Sequence, residues 1–242
     1  MTEQERKKAE KARRVAAHPG NAPEYSFDLI EQRADSPLAG KALCALGASV
    51  TRGACSEGFA VGEYLAARLG CTLTKEAVSG TTIADLKENS FITRMLARLP
   101  RDAHFDLFLC QLPTNDARLG FPLGEITEGF DGPFDRCTVT GGIEFIVSYV
   151  RKTWGCPIAF YTGSRYDNEN YGRMAARLGE LAEKWGFAVL DLWSGDSFNA
   201  LPDADGKRGI YMYDPVHPTR AGYRDWWGPE MERQLLAALG SN

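Results

Sequence analysis

Five short apolar runs punctuate this chain: Lys41–Gly47, Cys71–Val78, Asp106–Leu112, Pro157–Gly163 and Phe187–Trp193. Each is bounded by Gly, Pro or polar turn residues and is nearly continuous in its apolar character, the pattern of a strand buried on both faces. Between the runs, apolar positions recur at helical spacing over about 58–70, 82–99, 138–154 and 170–186. A last helix pair is predicted from Thr219 to Leu239, interrupted at Gly228-Pro229. Parallel strands need long crossovers, and those crossovers are normally helices. The alternation therefore predicts an α/β fold: a three-layer α/β/α sandwich on a mainly five-stranded parallel sheet.

Ahead of the first run the pattern changes. Thr2 to Ala17 is polar and rich in Lys, Arg, Glu and Ala, a solvated helix or arm that ends at Pro19-Gly20, and residues 21–40 show no period. The chain divides accordingly into an N-terminal arm and lead-in over 1–40 and one domain over 41–242.

Composition narrows the function classes. The 242 residues are 44% hydrophobic, enough for a sizeable core, and 28 basic against 32 acidic residues give a net charge of -4 with no long basic block beyond the first residues. Nucleic acid is excluded as a partner on that balance. No apolar run approaches the roughly 20 residues that cross a bilayer, and the opening Met-Thr-Glu-Gln-Glu-Arg-Lys-Lys is not a secretion signal. The expected location is the cytoplasm, away from membranes. Six cysteines without a CxxC pair indicate neither a disulfide scaffold nor a zinc site. Only His18, His104 and His217 could serve as a neutral-pH base.

Ligands of such sheets bind beyond the carboxyl ends of the strands, so the residues just past each run carry the chemistry. The first run delivers Gly47-Ala48-Ser49, a serine on a tight turn. The second ends in Ser79-Gly80-Thr81-Thr82, where Gly80 offers an unobstructed backbone N–H. The third ends in Pro113-Thr114-Asn115-Asp116, placing a neutral amide donor on the same edge. Near the C-terminus, Asp214-Pro215-Val216-His217 sets a carboxylate three residues ahead of an imidazole. That spacing lets Asp214 hold Nδ1 while Nε2 faces a serine. Singly, each piece reads as well as a turn, a helix cap or a surface loop. Together, in this order and on one edge of one sheet, they supply a nucleophile, its base and fixed donors for an oxyanion.

These four blocks resemble the SGNH (GDSL-like) serine hydrolases, over roughly Lys41 to the C-terminus. The family's Ser, Gly, Asn and His fall on Ser49, Gly80, Asn115 and His217, and its Asp-x-x-His on Asp214 to His217. The resemblance implies a flavodoxin-like fold, a Ser49–His217–Asp214 triad, and an oxyanion hole from the N–H groups of Ser49 and Gly80 with the Asn115 amide. It also implies hydrolysis of small acyl esters, acetyl groups on carbohydrate among them, with no metal or organic cofactor. The chain departs from the family at Ala48, where the nucleophile block normally has Asp, and at Pro113, normally Gly. Two further uses of the site stay open: binding a ligand without turnover, and acyl transfer to an acceptor other than water. The oligomeric state is open too.

A literal Gly195-Asp196-Ser197 follows the fifth run. It reads as a polar turn, since the family's serine follows the first strand. Arg165 and Tyr213 are the candidates for substrate contact, while Trp226 and Trp227 suit the core of the last helix. The long segment from Arg118 to Arg136 is expected to serve substrate recognition. His104 lies at the wrong edge and His18 in the arm.

Overall fold

The computed structural model describes residues 1–240. In chain order the elements are α1 (Glu3–Ala16), β1 (Ala42–Gly47), α2 (Ser49–Arg52), α3 (Val61–Leu69), β2 (Thr72–Ala77), α4 (Phe91–Arg98), β3 (Leu107–Gln111), α5 (Thr114–Leu119), α6 (Val139–Thr153), β4 (Ile158–Tyr161), α7 (Glu169–Trp185), β5 (Ala188–Leu190), α8 (Asp196–Ala204), α9 (Arg208–Tyr211), α10 (Arg220–Gly222) and α11 (Gly228–Gly240). The five strands form one parallel sheet in the order β2-β1-β3-β4-β5, with Leu46 of β1 paired to Glu76 of β2 and to Cys110 of β3.

Strand alternation divides the core. Cys44, Leu46, Phe108 and Cys110 join the apolar cluster that also holds residues of α4, α6 and α7, among them Met95, Ile146 and Leu178. Leu43, Leu107 and Leu109 join the other cluster, with Leu65 of α3 and Met231 and Leu235 of α11. Because both faces are covered, β1, β3 and β4 are buried almost throughout. Edge strand β2 instead alternates exposed and half-buried positions at its start. The fold is the expected three-layer sandwich.

Three local expectations give way. Residues 82–90 are irregular although Ile83 and Ala84 are buried: the Thr82 carbonyl, which a helix would give to Leu86, accepts the Phe91 N–H (2.8 Å), the Ala84 carbonyl accepts the Thr82 hydroxyl (3.0 Å), and the Asp116 carboxylate holds the Ile83 and Ala84 N–H groups (3.1 and 2.9 Å). The helix starts only where Ser90 Oγ accepts the Thr93 N–H at 3.0 Å. At the other end, Gly228-Pro229 causes no interruption. A π-turn over Tyr223–Trp227 leads directly into α11, and Pro229 sits in the first turn of that helix, where a missing donor costs little.

The segment after α5 also departs from expectation. Lys184 Nζ donates to the carbonyls of Thr127 and Gly129 (2.8 Å for Gly129) and pairs with buried Glu144, and the Phe130 ring meets Trp185 edge-on. Trp185 ends α7 just ahead of β5, so the middle of this segment is pinned near the amino edge of the sheet, away from the strand ends that carry Ser49 and Asn115. Substrate recognition is not where its centre lies.

Candidate active site

The turn after β1 is shaped by one amide. Gln111, the last residue of β3, uses its Oε1 to accept the Ala48 N–H (2.8 Å), the Thr51 N–H (3.3 Å) and the Thr51 hydroxyl (2.8 Å). Tyr161 OH lies 2.7 Å from the same hydroxyl. Ala48 itself is fully buried, in the apolar cluster with Ile83, Leu112 and Ala117. The family's aspartate has no polar slot here, and Gln111 organises the turn through the backbone instead. Ser49 opens α2, and its Oγ lies 2.7 Å from Nε2 of His217.

The turn that presents His217 closes on itself. Asp214 Oδ1 accepts the N–H groups of Val216 (2.9 Å) and His217 (2.8 Å), and the two carboxylate oxygens lie 2.9 and 2.8 Å from His217 Nδ1. Burial alone would raise the Asp214 pKa. The hydrogen bond and charge of His217, with the two backbone donors, outweigh burial and hold the carboxyl below its ordinary range. Asp214 is therefore a carboxylate across neutral pH, which fixes the proton on Nδ1 and leaves Nε2 as acceptor toward Ser49.

A third loop is drawn in by a residue that sequence reading missed. Arg94 of α4 is 1% exposed; its guanidinium donates to Gly47 O at the end of β1 (2.8 Å), to Thr81 Oγ1 (3.0 Å) and to Glu76 Oε1 (2.8 Å). The Thr81 carbonyl in turn accepts from Asn115 Nδ2 at 2.9 Å. The loop carrying Gly80 is thus tied to β1 on one side and to α5 on the other. Gly80 has φ +83°, in the left-handed region that an L side chain resists, with open space where a Cβ would stand. Among the described residues, the N–H groups of Ser49 and Gly80 and the second Nδ2 proton of Asn115 have no hydrogen-bond partner.

The other candidates sit elsewhere. Arg165 donates to Trp193 O (3.2 Å), Ser194 O (3.0 Å) and Asp196 Oδ1 (2.7 Å), so its guanidinium is occupied in bracing the turn before α8. It still borders a groove of about 800 Å3 with Tyr166, Asn168, Trp193 and Asn199. Tyr166 also packs around a tight crevice, with no room for a water molecule, beside Val50, Thr114 and Val216, the chain neighbours of Ser49, Asn115 and His217. Tyr213 donates its N–H to His217 O at 2.9 Å, and its ring faces His18, 5.5 Å between centroids. Trp226 and Trp227 are core residues. Ser197 is exposed on α8, and His104 is exposed beside Asp106 at the amino edge.

Cys55 Sγ, an Asp214 oxygen and a His217 nitrogen lie within 4.8 Å of one another, a donor set of the kind zinc accepts. Burial pushes the Cys55 thiol up to about 11. An ion there would have to remove that proton and displace the Asp214–His217 hydrogen bond. All six cysteines are free.

Comparison with known proteins follows the same outline. The GDSL-like Lipase/Acylhydrolase family matches residues 45–224. Among solved structures, a protein from Lactobacillus plantarum superposes with a TM-score of 0.64 at 24% identity, covering 84% of this chain and 98% of that one. A possible lipase from Chitinophaga pinensis gives a TM-score of 0.62 at 15% identity, over 84% and 100% of the two chains. A member of the lipolytic protein G-D-S-L family from Veillonella parvula gives 0.56 at 15% identity, over 79% and 96%. No curated protein matches the chain.

Proposed function

The chain belongs to the GDSL-like lipase/acylhydrolase family, and from that premise we propose that it is a serine esterase acting on small acyl esters, with Ser49 as nucleophile. The observation that carries the reading is the continuous relay from Ser49 Oγ to His217 Nε2 (2.7 Å) and from His217 Nδ1 to Asp214 (2.8 Å). His217 takes the serine proton as Oγ attacks the ester carbonyl. The tetrahedral oxyanion settles against Ser49 N–H, Gly80 N–H and the free Asn115 proton. His217 then returns the proton to the departing alcohol, and water repeats the sequence to release the acid. Asp214 stays ionised throughout, pairing with the imidazolium as it forms.

Two recesses flank the site. A cavity of about 510 Å3 beside Gly80, bordered by Val78, Leu86, Lys87 and Asn89, takes the acyl group in this reading. The groove beyond Tyr166 presents the half-buried Trp193 ring with Asp167 and Asn168, a mixture of aromatic face and polar side chains suited to a hydroxylated alcohol such as a sugar. Acetylated carbohydrate is the substrate class of this reading, with Arg165 at the border of the groove and Tyr213, which lines neither recess, beside the His217 turn. No helix among the described residues is long and apolar enough to cross a membrane, and the same reading places the enzyme in the cytoplasm.

The test pairs p-nitrophenyl acetate turnover with labelling by a fluorophosphonate probe, each run on the natural chain and on Ser49→Ala. Turnover and labelling of the natural chain, both lost in the variant, are expected. Labelling that persists in Ser49→Ala sinks the assignment.

A further inference from the structure

The segment His18-Pro19-Gly20-Asn21 lies outside the stretch that matches the family, yet it is wedged against both catalytic loops. Asn21 is only 4% exposed, and every polar atom of its amide is used. Nδ2 donates to Val15 O at the end of α1 (2.8 Å) and to Cys55 O in the loop that follows α2 (2.9 Å), while Oδ1 accepts the Arg220 N–H (2.7 Å). Cys55 follows Ala54, whose N–H donates back to Ser49 O at 3.0 Å. Arg220 lies three residues after His217. One buried side chain therefore joins the loop that carries the nucleophile to the turn that carries its base.

The backbone around it is fitted to the same purpose. A Cβ on Gly20 would stand 1.9 Å from Ile210 O and 2.5 Å from Thr219 Oγ1, so only glycine lets this segment lie so close to the histidine turn. The neighbouring His18 ring covers Tyr213, and its Nδ1 accepts the Gly20 N–H at 3.1 Å.

We propose that Asn21 is a positioning residue for the ester hydrolysis inferred above: it sets the separation of Ser49 and His217 by bridging Cys55 O and the Arg220 N–H. The inference rests on the esterase reading. A serine attack depends steeply on that separation, since a displacement of about 1 Å in a catalytic pair costs on the order of 100-fold in rate. A pairing that spans two distant parts of the chain is the kind that drifts when its brace is removed.

The test uses the full chain. Natural protein, Asn21→Ala and the isosteric Asn21→Asp are compared with Tyr64→Phe, which loses a buried hydrogen bond to Glu232 (3.1 Å) between α3 and α11. Each is assayed well below its own melting temperature for kcat and KM on p-nitrophenyl acetate and for its fluorophosphonate labelling rate. Expected is a roughly 10- to 100-fold fall in kcat and labelling for Asn21→Ala, with KM within about twofold, while Tyr64→Phe melts earlier but keeps its rate. Asn21→Asp fills the same space and keeps the acceptor for Arg220 but not the donor for Cys55, so it too is slow; it gives the answer if Asn21→Ala does not fold. Natural labelling rates in Asn21→Asp, or a loss in Tyr64→Phe as large as in the Asn21 variants, overturn the proposal. Folded natural protein that neither turns over nor labels overturns the esterase reading, and this inference with it.

Discussion

Two serines in this chain follow a glycine and one intervening residue at the end of a strand, and they end in opposite circumstances. Ser49, after β1, is buried at the mouth of a short helix, 2.7 Å from an imidazole. Ser197, after β5, has the more typical Gly-Asp-Ser spelling, yet it is exposed on α8, and its neighbour Asp196 is spent on an ion pair with Arg165 at 2.7 Å. What separates them is neither the tripeptide nor the sheet edge, which they share. It is what converges: Gln111 shapes the Ser49 turn, Arg94 brings the Gly80 loop alongside, and the Asp214 turn delivers the imidazole.

The comparison can be broken most sharply at its two poles. Ser49→Ala should lower kcat on p-nitrophenyl acetate by roughly 10⁵-fold or more, whereas Ser197→Ala should stay within about twofold of the natural chain. The reverse result would mean that the exposed serine is the nucleophile. Asp214→Asn keeps the shape of the histidine turn but presents the wrong group to Nδ1, and a fall in kcat of about 10⁴-fold is expected in the same assay. Asn115→Ala removes one proton donor and a tie to Thr81; a loss of roughly 10² to 10³ in kcat, larger than any change in KM, would mark its part in holding the oxyanion.

Two smaller effects concern stability. Giving the first turn the second turn's spelling, by Ala48→Asp, would bury a carboxylate in an apolar cluster with Gln111 Oε1 close by. Denaturant melts should show a loss of at least about 3 kcal/mol. Asp116 offers a pH test. Burial, outweighing the N–H groups of Ala84 and Ile83, raises its pKa from 3.8 to about 7. The unfolded chain then sheds this proton between about pH 4 and 7 while the folded chain keeps it, so the natural protein loses stability as pH rises through that window and levels off above it. Asp116→Asn removes the slope. Melting temperatures of the two chains, followed from pH 4 to 8, should shift in favour of the variant up to about pH 7 and run parallel beyond.

Much of this was legible in the residues. The five runs contain the five strands: β1, β3 and β4, covered on both faces, carry an unbroken apolar signature and edge strand β2 an alternating one, and each block that resembled the family stands just past a strand or in the turn before α10. Legibility failed where a distant polar group overrides local pattern. Ile83 and Ala84 fit a helical stripe, but the Thr82 carbonyl is taken by the Phe91 N–H and the Asp85 N–H by the distant Arg136 carbonyl. Arg94 and Gln111 did leave a trace: one is a charge aligned with Phe91 and Met95 on the buried side of α4, the other a polar end to an apolar strand. Asn21 left none, since its partners come from Cys55 and Arg220, 34 and 199 residues away.

The strand order carries one more consequence. From β1 the chain first moves outward to β2 through α3 on one face, then returns past β1 to β3 through α4 on the other and continues in that direction through β4 and β5. Connections leaving β1 and β3 therefore diverge, and a crevice opens between their ends before any side chain is chosen. Ser49 and Asn115 stand on its two banks. Loops around this gap can be exchanged for others, changing the ligand that the gap admits, while the sheet that creates it is left as it is.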